Sequence, residues 1–354
     1  MSDNTSHSQM FVVQVDARRW PLPPKRKLAG LPIFIRTLLS LEKAGVQRIE
    51  VFAKEHQHRL QRLMQKRTVR TPVIFLPGDP EENAIVIPAC CLVNIMQLLA
   101  AHDASRPLQE GIQKIEHVSD FQKAQKHLWS TLRKPIENDG VVAYFLGRPI
   151  SRIISHLFIN TPITPNAVTV LSFLTALTGA LLLPVSLTLG AVLYWFSFVL
   201  DCVDGELARL RFEGSRLGQW LDTIADDGAT VMFSVSLSYI LYPHFPTAAL
   251  IGYVLAASYA FFCIPVYLQL SRMPVIDTAQ YPYFFMGEQG AASKQKNFWV
   301  WIAYAFRRDS VLFAHMVMSF FSFLYGMFVL QCIINISMAF ITGLDIVVKF
   351  LRRR

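Results

Sequence analysis

Four aspartates carry the strongest chemical signal in this 354-residue chain. Asp201 and Asp204 stand three residues apart and Asp222 and Asp226 four, so each pair falls on one face of a helix. The segment between the pairs, Arg209–Gly218, is short enough to make the two helices neighbours. The pairs can then converge as a four-carboxylate cup. Like charges that close repel unless protons or cations stand between them. Hard oxygen ligands suit Mg²⁺ or Mn²⁺, and four carboxylates could hold two ions. The neighbours fit a phosphate substrate. Gly205 and Gly218 allow a ligand close to the backbone, Arg209 offers a cationic fork, and Ala208 keeps the groove open. A metal pair on a diphosphate, with a carboxylate left to take a proton, is a phosphoryl-transfer site. A charge network that only anchors helix ends would use the same residues, yet four like charges need counterions either way.

The elements that must position these groups lie in a hydrophobic chain. Apolar residues make up 53% and charged ones 17%, with a mean hydropathy of +0.35. A soluble domain carries nearer a quarter charged, so disordered, collagenous and disulfide-scaffold classes are excluded. After about residue 150, three stretches lack Asp, Glu, Lys and Arg: Ile153–Leu200, Gly228–Ser271 and Ser310–Leu344. Each far exceeds the roughly 20 residues of one membrane helix, so each holds two spans and the total is six. The turns fall at Pro184–Thr188, at Tyr242–Pro246 where two prolines stop the helix, and near Tyr325–Gly326. None carries Lys or Arg. The opposite side collects Arg209, Arg211, Arg216, Arg272, Lys294, Lys296, Arg307, Arg308, Lys349 and Arg352–Arg354. That asymmetry predicts a multi-pass inner-membrane protein with both termini in the cytoplasm. The formal charge of +9 fits cytoplasmic loops and anionic headgroups rather than nucleic acid. The start, MSDNTSHSQM, has no apolar core, so no signal peptide is expected.

Ahead of the first span, Arg148–Phe158 repeats Ile150, Ile153, Ile154, Leu157 and Phe158 at helical spacing. Ser151, Arg152, Ser155 and His156 lie between them, the pattern of a helix in the headgroup plane. Arg148, Arg152, Arg307 and Arg308 share the aspartates' interface and could hold an anionic acceptor, although positive-inside anchoring accounts for them as well. Five cysteines, Cys90, Cys91, Cys202, Cys263 and Cys332, form no CxxC pair and read as packing residues. Glu206 reads as a solvated neighbour of the motif, and Asp227, about 100° around the helix from Asp226, is left out of the site.

The run Asp201-x2-Asp204-Gly205-x2-Ala208-Arg209-x8-Gly218-x3-Asp222-x3-Asp226 resembles the signature of the CDP-alcohol phosphotransferases at all eight specified positions. A chance match is on the order of 10⁻¹⁰ per starting position. The resemblance runs from about Leu132 to the C-terminus. It implies displacement of CMP from a CDP-linked alcohol by an acceptor hydroxyl, in phospholipid or polar-headgroup synthesis. It also implies metal binding by Asp201, Asp204, Asp222 and Asp226, with Asp226 the base. Nucleotide contacts implied in the same way are Gly205, Arg209, Ser215, and the Asn166-x-x-Thr169 pair at the first span. A helix cap and a packed β-branched residue explain Asn166 and Thr169 equally well from the residues alone. Dimerisation is implied by the resemblance and by nothing else.

The fold expected is thus a six-helix all-α membrane bundle behind an N-terminal soluble α/β domain. The domains are residues 1–115, a helical linker 116–147, and the membrane domain 148–354 that opens with the interfacial helix. In the first, Phe11–Val15, Ile49–Phe52, Val73–Leu76 and Ala84–Ile87 read as strands and Ile33–Lys43 as a helix. Gly30–Pro32, Leu38–Leu39 and Ala44–Val46 resemble the first βαβ unit of sugar-nucleotide transferases. With the Lys134–Pro135…Asp139–Gly140…Gly147–Ser151 linker, the whole resembles fusions of inositol-1-phosphate cytidylyltransferase with di-inositol-phosphate-phosphate synthase. Yet Asp16–Ala17–Arg18–Arg19–Trp20–Pro21 stands where a glycine-rich phosphate loop belongs. Lys25 and Lys27 read as solvated. The expectation is a degenerate domain without cytidylyltransferase activity. Two other classes compete for the whole: an ion-coupled transporter, whose charges should lie at mid-bilayer rather than beside cytoplasmic arginines, and a non-catalytic scaffold derived from an enzyme, against which the intact aspartate set argues.

Overall fold

The structure is a computed structural model that describes residues 12–18, 26–65, 67–81, 86–93, 112–133, 136–273, 276, 281 and 307–351. The expectations for Phe11, Lys25, Ala84, Lys134–Pro135, Lys294, Lys296 and Arg352–Arg354 lie outside the described residues. The chain divides into two compact units. One is Met1–Arg133 with Leu210–Phe212, the other Lys134–Arg209 with Glu213–Arg354.

The first unit is built on a parallel four-stranded sheet of order β5-β4-β1-β6, with β1 Val12–Asp16, β4 Arg48–Phe52, β5 Val73–Leu76 and β6 Val86–Pro88. Val13 and Val15 are fully buried and Gln14 almost so, as a central strand covered on both faces requires. Gln14 keeps its amide satisfied by donating to Glu50 Oε2 at 3.1 Å, its register partner on β4. Helix α1, Ile33–Lys43, has the expected bounds. It packs Phe34, Ile35, Leu38 and Leu41 onto the sheet and ends at Ala44–Gly45, where the left-handed φ of +82° suits glycine alone. Two short antiparallel pairs, β2 Lys27–Leu28 with β3 Leu31–Pro32 and β7 Cys91–Val93 with β8 Ile112–Lys114, and helix α2 Gln57–Met64 complete it. Helix α3, Val118–Thr131, falls in the stretch expected as a connecting arm. Its Phe121 and Ala124 instead join Leu28, Ile33, Cys90 and Leu92 in a buried cluster of this unit. At the carboxyl ends of the strands Arg18 pairs with Asp16 at 2.7 Å and with Asp79, and Lys54 reaches Asp79 at 3.2 Å. The Lys54 and Arg18 cations hold the Asp79 carboxyl below the usual carboxylate range.

The second unit is helical. It opens with α4, Ile136–Asp139, a π-turn at Ala143–Gly147 and α5, Arg148–Phe158. The long helices α6 (Pro165–Leu182), α7 (Leu187–Arg211), α8 (Arg216–Leu241), α9 (Pro246–Leu270), α10 (Arg308–Phe320) and α11 (Leu324–Leu351) follow. Four of them, α6, α7, α9 and α11, are long and apolar enough to cross a membrane. The other two differ for visible reasons. Helix α8 carries Arg216, Asp222, Asp226 and Asp227 in its first half, and the 13 residues of α10 rise only about 20 Å. Leu250, Val254, Phe261 and Leu268 on α9, and Ile336 and Phe340 on α11, face outward, where lipid rather than water satisfies them.

Inside, helices meet through small residues and side-chain-to-backbone bonds. A Cβ on Gly179 would stand 2.8 Å from the Gly190 carbonyl and one on Gly190 2.7 Å from that of Gly179, so α6 and α7 cross backbone to backbone. Ser172 Oγ donates to the Ser197 carbonyl at 2.8 Å, and Tyr194 stacks on Phe233 at 4.1 Å. The first two turns lie where expected, with Pro246 starting α9. The last does not: it is Phe321–Phe323, with Ser322 at φ +52°, and Gly326 lies inside α11, its missing side chain replaced by the Phe323 ring. That glycine makes room for packing and breaks nothing.

Candidate active site

The reversal between α7 and α8 sets the aspartates face to face. Helix α7 is stopped by Phe212 at φ +55°, with the Glu213 N–H donating back to the Ala208 carbonyl at 2.9 Å. Three residues later Ser215 starts α8 by accepting the Gly218 N–H at 3.0 Å. Asp201 and Asp204 at the end of α7 and Asp222 in the second turn of α8 thereby bring a carboxylate oxygen each within 4.8 Å of one another. Asp204 is nearly buried. Its Oδ2 accepts the Thr169 hydroxyl of α6. Asp222 Oδ1 is buried with no hydrogen-bond partner. Three clustered carboxylates, one with an orphaned buried oxygen, are a donor set that fits a hard divalent cation.

Asp226 stands outside this triad. Arg308 at the start of α10 forms an ion pair with it and lies 3.9 Å from Asp201 Oδ2. The expected nucleotide residues form two local contacts. A Cβ on Gly218 would stand 2.6 Å from Asn166 Oδ1 and 3.1 Å from Ser215 Oγ, so the glycine is the space in which the Asn166 amide rests. Gly205 lies beneath the Arg209 guanidinium, its notional Cβ 3.2 Å from Nη1. Ala208 lies half-buried on the turn that carries both.

Two readings need correction, and a third residue, rightly left out of the site, has a structural partner. Glu206, expected in solvent, is fully buried: it accepts the Ser151 hydroxyl at 2.8 Å, the Ser155 hydroxyl at 2.7 Å and Arg148 Nη1 at 3.3 Å. Arg148, expected among acceptor contacts, is consumed by that carboxylate and by a two-pronged pair with Asp139 at 2.7 Å. Asp227, set aside by its angle, accepts Tyr259 at 2.7 Å and Tyr267 at 2.6 Å, which ties α8 to α9. The polar pair Ser151 and Ser155, four apart on α5, was the one sequence signal that could have located Glu206. Of the other acceptor candidates, Arg152 has a buried Nε without a partner, and Arg307 Nε lies 3.7 Å from Asp309 Oδ1.

Apolar spanning helices whose ends carry a cation-ready carboxylate triad define an integral-membrane protein with its chemistry at a helix-end interface. Residues 162–340 match the family model described as CDP-alcohol phosphatidyltransferase, and the chain belongs to that family. Similar curated proteins include a bifunctional IPC transferase and DIPP synthase of Thermococcus kodakarensis, 36% identical over 129 residues (36% of this chain, 29% of that one). The protein of the same name from Aquifex aeolicus is 28% identical over 221 residues, 62% of this chain and 47% of that one. Phosphatidylinositol phosphate synthase of Mycobacterium tuberculosis is 38% identical over 85 residues, 23% of this chain and 39% of that one. The chain covers less than half the length of each of these relatives.

Proposed function

We propose that this protein moves a phosphoalcohol or phosphatidyl group from a CDP-linked alcohol to an acceptor hydroxyl and releases CMP, working from within a membrane. The observation that carries the reading is the convergence of Asp201, Asp204 and Asp222 from two helix ends within 4.8 Å. Family membership supports it, and the names of the relatives favour an inositol-bearing donor or acceptor.

In this reading the acceptor oxygen attacks the phosphorus on the alcohol side of the diphosphate. The bond from that phosphorus to the CMP oxygen breaks, and CMP leaves with the electron pair. Asp226 takes the acceptor's proton. Asp201, Asp204 and Asp222, with Asp226, would hold two ions of Mg²⁺ or Mn²⁺, which supply positive charge for the diphosphate oxygens. Thr169 fixes one oxygen of Asp204 and so the orientation of its carboxylate. Asn166, Gly218 and Ser215 form one wall of the nucleotide site, and Gly205, Ala208 and Arg209 the other. Arg152, Arg307 and Arg308 face the acceptor, which is an anionic alcohol or a lipid hydroxyl. Helices α6 to α11 serve as six spans, α8 and α10 with their charged ends at the interface. The arginines beside the aspartates favour a cytoplasmic side for both termini.

A CMP-release screen of the purified protein with Mg²⁺ or Mn²⁺ tests this, crossing CDP-diacylglycerol and CDP-inositol with inositol, inositol phosphate and lipid acceptors. One productive pair is expected; no CMP from any pair refutes the proposal.

A further inference from the structure

The segment from the end of α4 to the start of α5 is bonded both to α7, which carries Asp201 and Asp204, and to α10, which carries Arg308. At one end Arg148 donates to Asp139, to Glu206 and, at 3.5 Å, to the Cys202 carbonyl on α7, the residue after Asp201. In the middle the Ala143 N–H donates at 3.0 Å to Asp309, the buried second residue of α10 and the neighbour of Arg308. Gly140 makes that bond possible. Its φ is +94°, and a Cβ there would stand 2.5 Å from Asp309 Oδ2. Polar side chains able to carry charge are buried at both attachments, where partial satisfaction is costly and full satisfaction is stiff.

We infer that Asp139–Arg148 is a clamp that fixes the acid-bearing end of α7 against the arginine-bearing start of α10, with Glu206, Arg148 and Asp309 as positioning residues. Among the described residues, no hydrogen bond or ion pair joins any of the three to the carboxylate triad. Through the clamp, Arg308 is held on Asp226 and beside Asp201. Loosening it moves Arg308 away from those carboxylates, which alters turnover without removing any ligand. The kinetic half of the inference rests on the proposed transfer reaction, and the binding half only on the proposed metal site.

The test uses the full chain in nanodiscs, with Gly140→Ala as the main variant because it displaces Asp309 and deletes no charge. Asp309→Asn and Glu206→Asp are its companions, and each must elute as the unmodified protein does. CMP release is followed with the productive substrate pair, and Mn²⁺ binding is titrated separately by electron paramagnetic resonance without substrate. The expected result for Gly140→Ala is a kcat at least tenfold lower, a KM changed less than about twofold, and Mn²⁺ bound at least threefold more tightly because Arg308 no longer competes. The Gly140→Ala/Asp309→Asn double variant should lose no more than the worse single one, since both open the same contact. A folded Gly140→Ala protein with unchanged kcat and unchanged Mn²⁺ affinity overturns the clamp. So does parallel loss of both activity and Mn²⁺ affinity, the mark of a merely loosened fold. Should Gly140→Ala fail to fold, Asp309→Asn is held to the same two criteria. If the unmodified protein releases no CMP, the proposed activity fails and the Mn²⁺ shift alone decides the clamp.

Discussion

Gly218→Ala separates the stability of the helix from the service it gives the site. Gly218 is the third residue of α8, and alanine there favours the helix by up to about 1 kcal/mol. The added methyl, however, would stand 2.6 Å from Asn166 Oδ1, closer than atoms tolerate, and the flexible amide is what gives way. The fold is then as stable or slightly more so, while Asn166 leaves the position from which it is proposed to bind nucleotide. Losing about one net hydrogen bond costs on the order of 1.4 kcal/mol, a tenfold weaker interaction. The assay is CMP release over a range of CDP-alcohol concentrations, beside thermal unfolding. KM should rise about tenfold, kcat should fall less than about threefold, and the melting temperature should hold or rise. Asn166→Ala should give the same KM, and the double variant no further loss, because both act through one side chain. An unchanged KM in Gly218→Ala would remove Asn166 from the nucleotide site. A double variant worse than either single one would show that the glycine has a role of its own.

Asp226→Asn should abolish CMP release while leaving elution as for the unmodified protein; turnover near that of the unmodified protein would dismiss Asp226 as the base. Asp222→Asn should lower Mn²⁺ affinity at least tenfold, read by the same resonance titration, since the orphaned Oδ1 is the oxygen best placed to ligate. Burial pushes the thiols of Cys90 and Cys91 up to about 12. At pH 8 only about one in ten thousand would be thiolate, so iodoacetamide should label neither until denaturant is added. Rapid labelling of the native protein would contradict their placement in the core. Finally, the full-length protein given CTP with inositol phosphate or sugar phosphates should release no diphosphate, since Arg18 is already paired with Asp16 and Asp79; measurable release would show that the first unit is an active transferase.

What the sequence revealed followed the range of the interaction. The spacings of three and four within Asp201/Asp204 and Asp222/Asp226 are local helix geometry, and the short reversal between them forces proximity, so the triad was legible. The bounds of α1 were legible too, because a mostly apolar run from Ile33 to Leu41, buried at every residue, stops shortly before Ala44–Gly45. The strands β2 and β3, two residues each, are too short to show any period. Glu206 was misread because a carboxylate beside a motif is usually solvated, and its partners Arg148, Ser151 and Ser155 lie more than 50 residues away. The α10–α11 turn was misplaced for the converse reason. Glycine is a strong local breaker, yet Ser322 takes the left-handed conformation while Gly326 accommodates a ring. Thr169 was ambiguous between packing and function, and its hydroxyl bond to Asp204 on the neighbouring helix is a contact that spacing does not reveal.

Asp226 and Asp227 are consecutive on α8, about 100° apart around its axis. One is engaged by Arg308 of α10 and the other by Tyr259 and Tyr267 of α9. Any swivel of the rod that eases one grip strains the other, so the pair acts as a torsional brake. The price of that brake is that α8 cannot adapt by turning: a substrate that fits poorly has to be accommodated by its neighbours, or rejected.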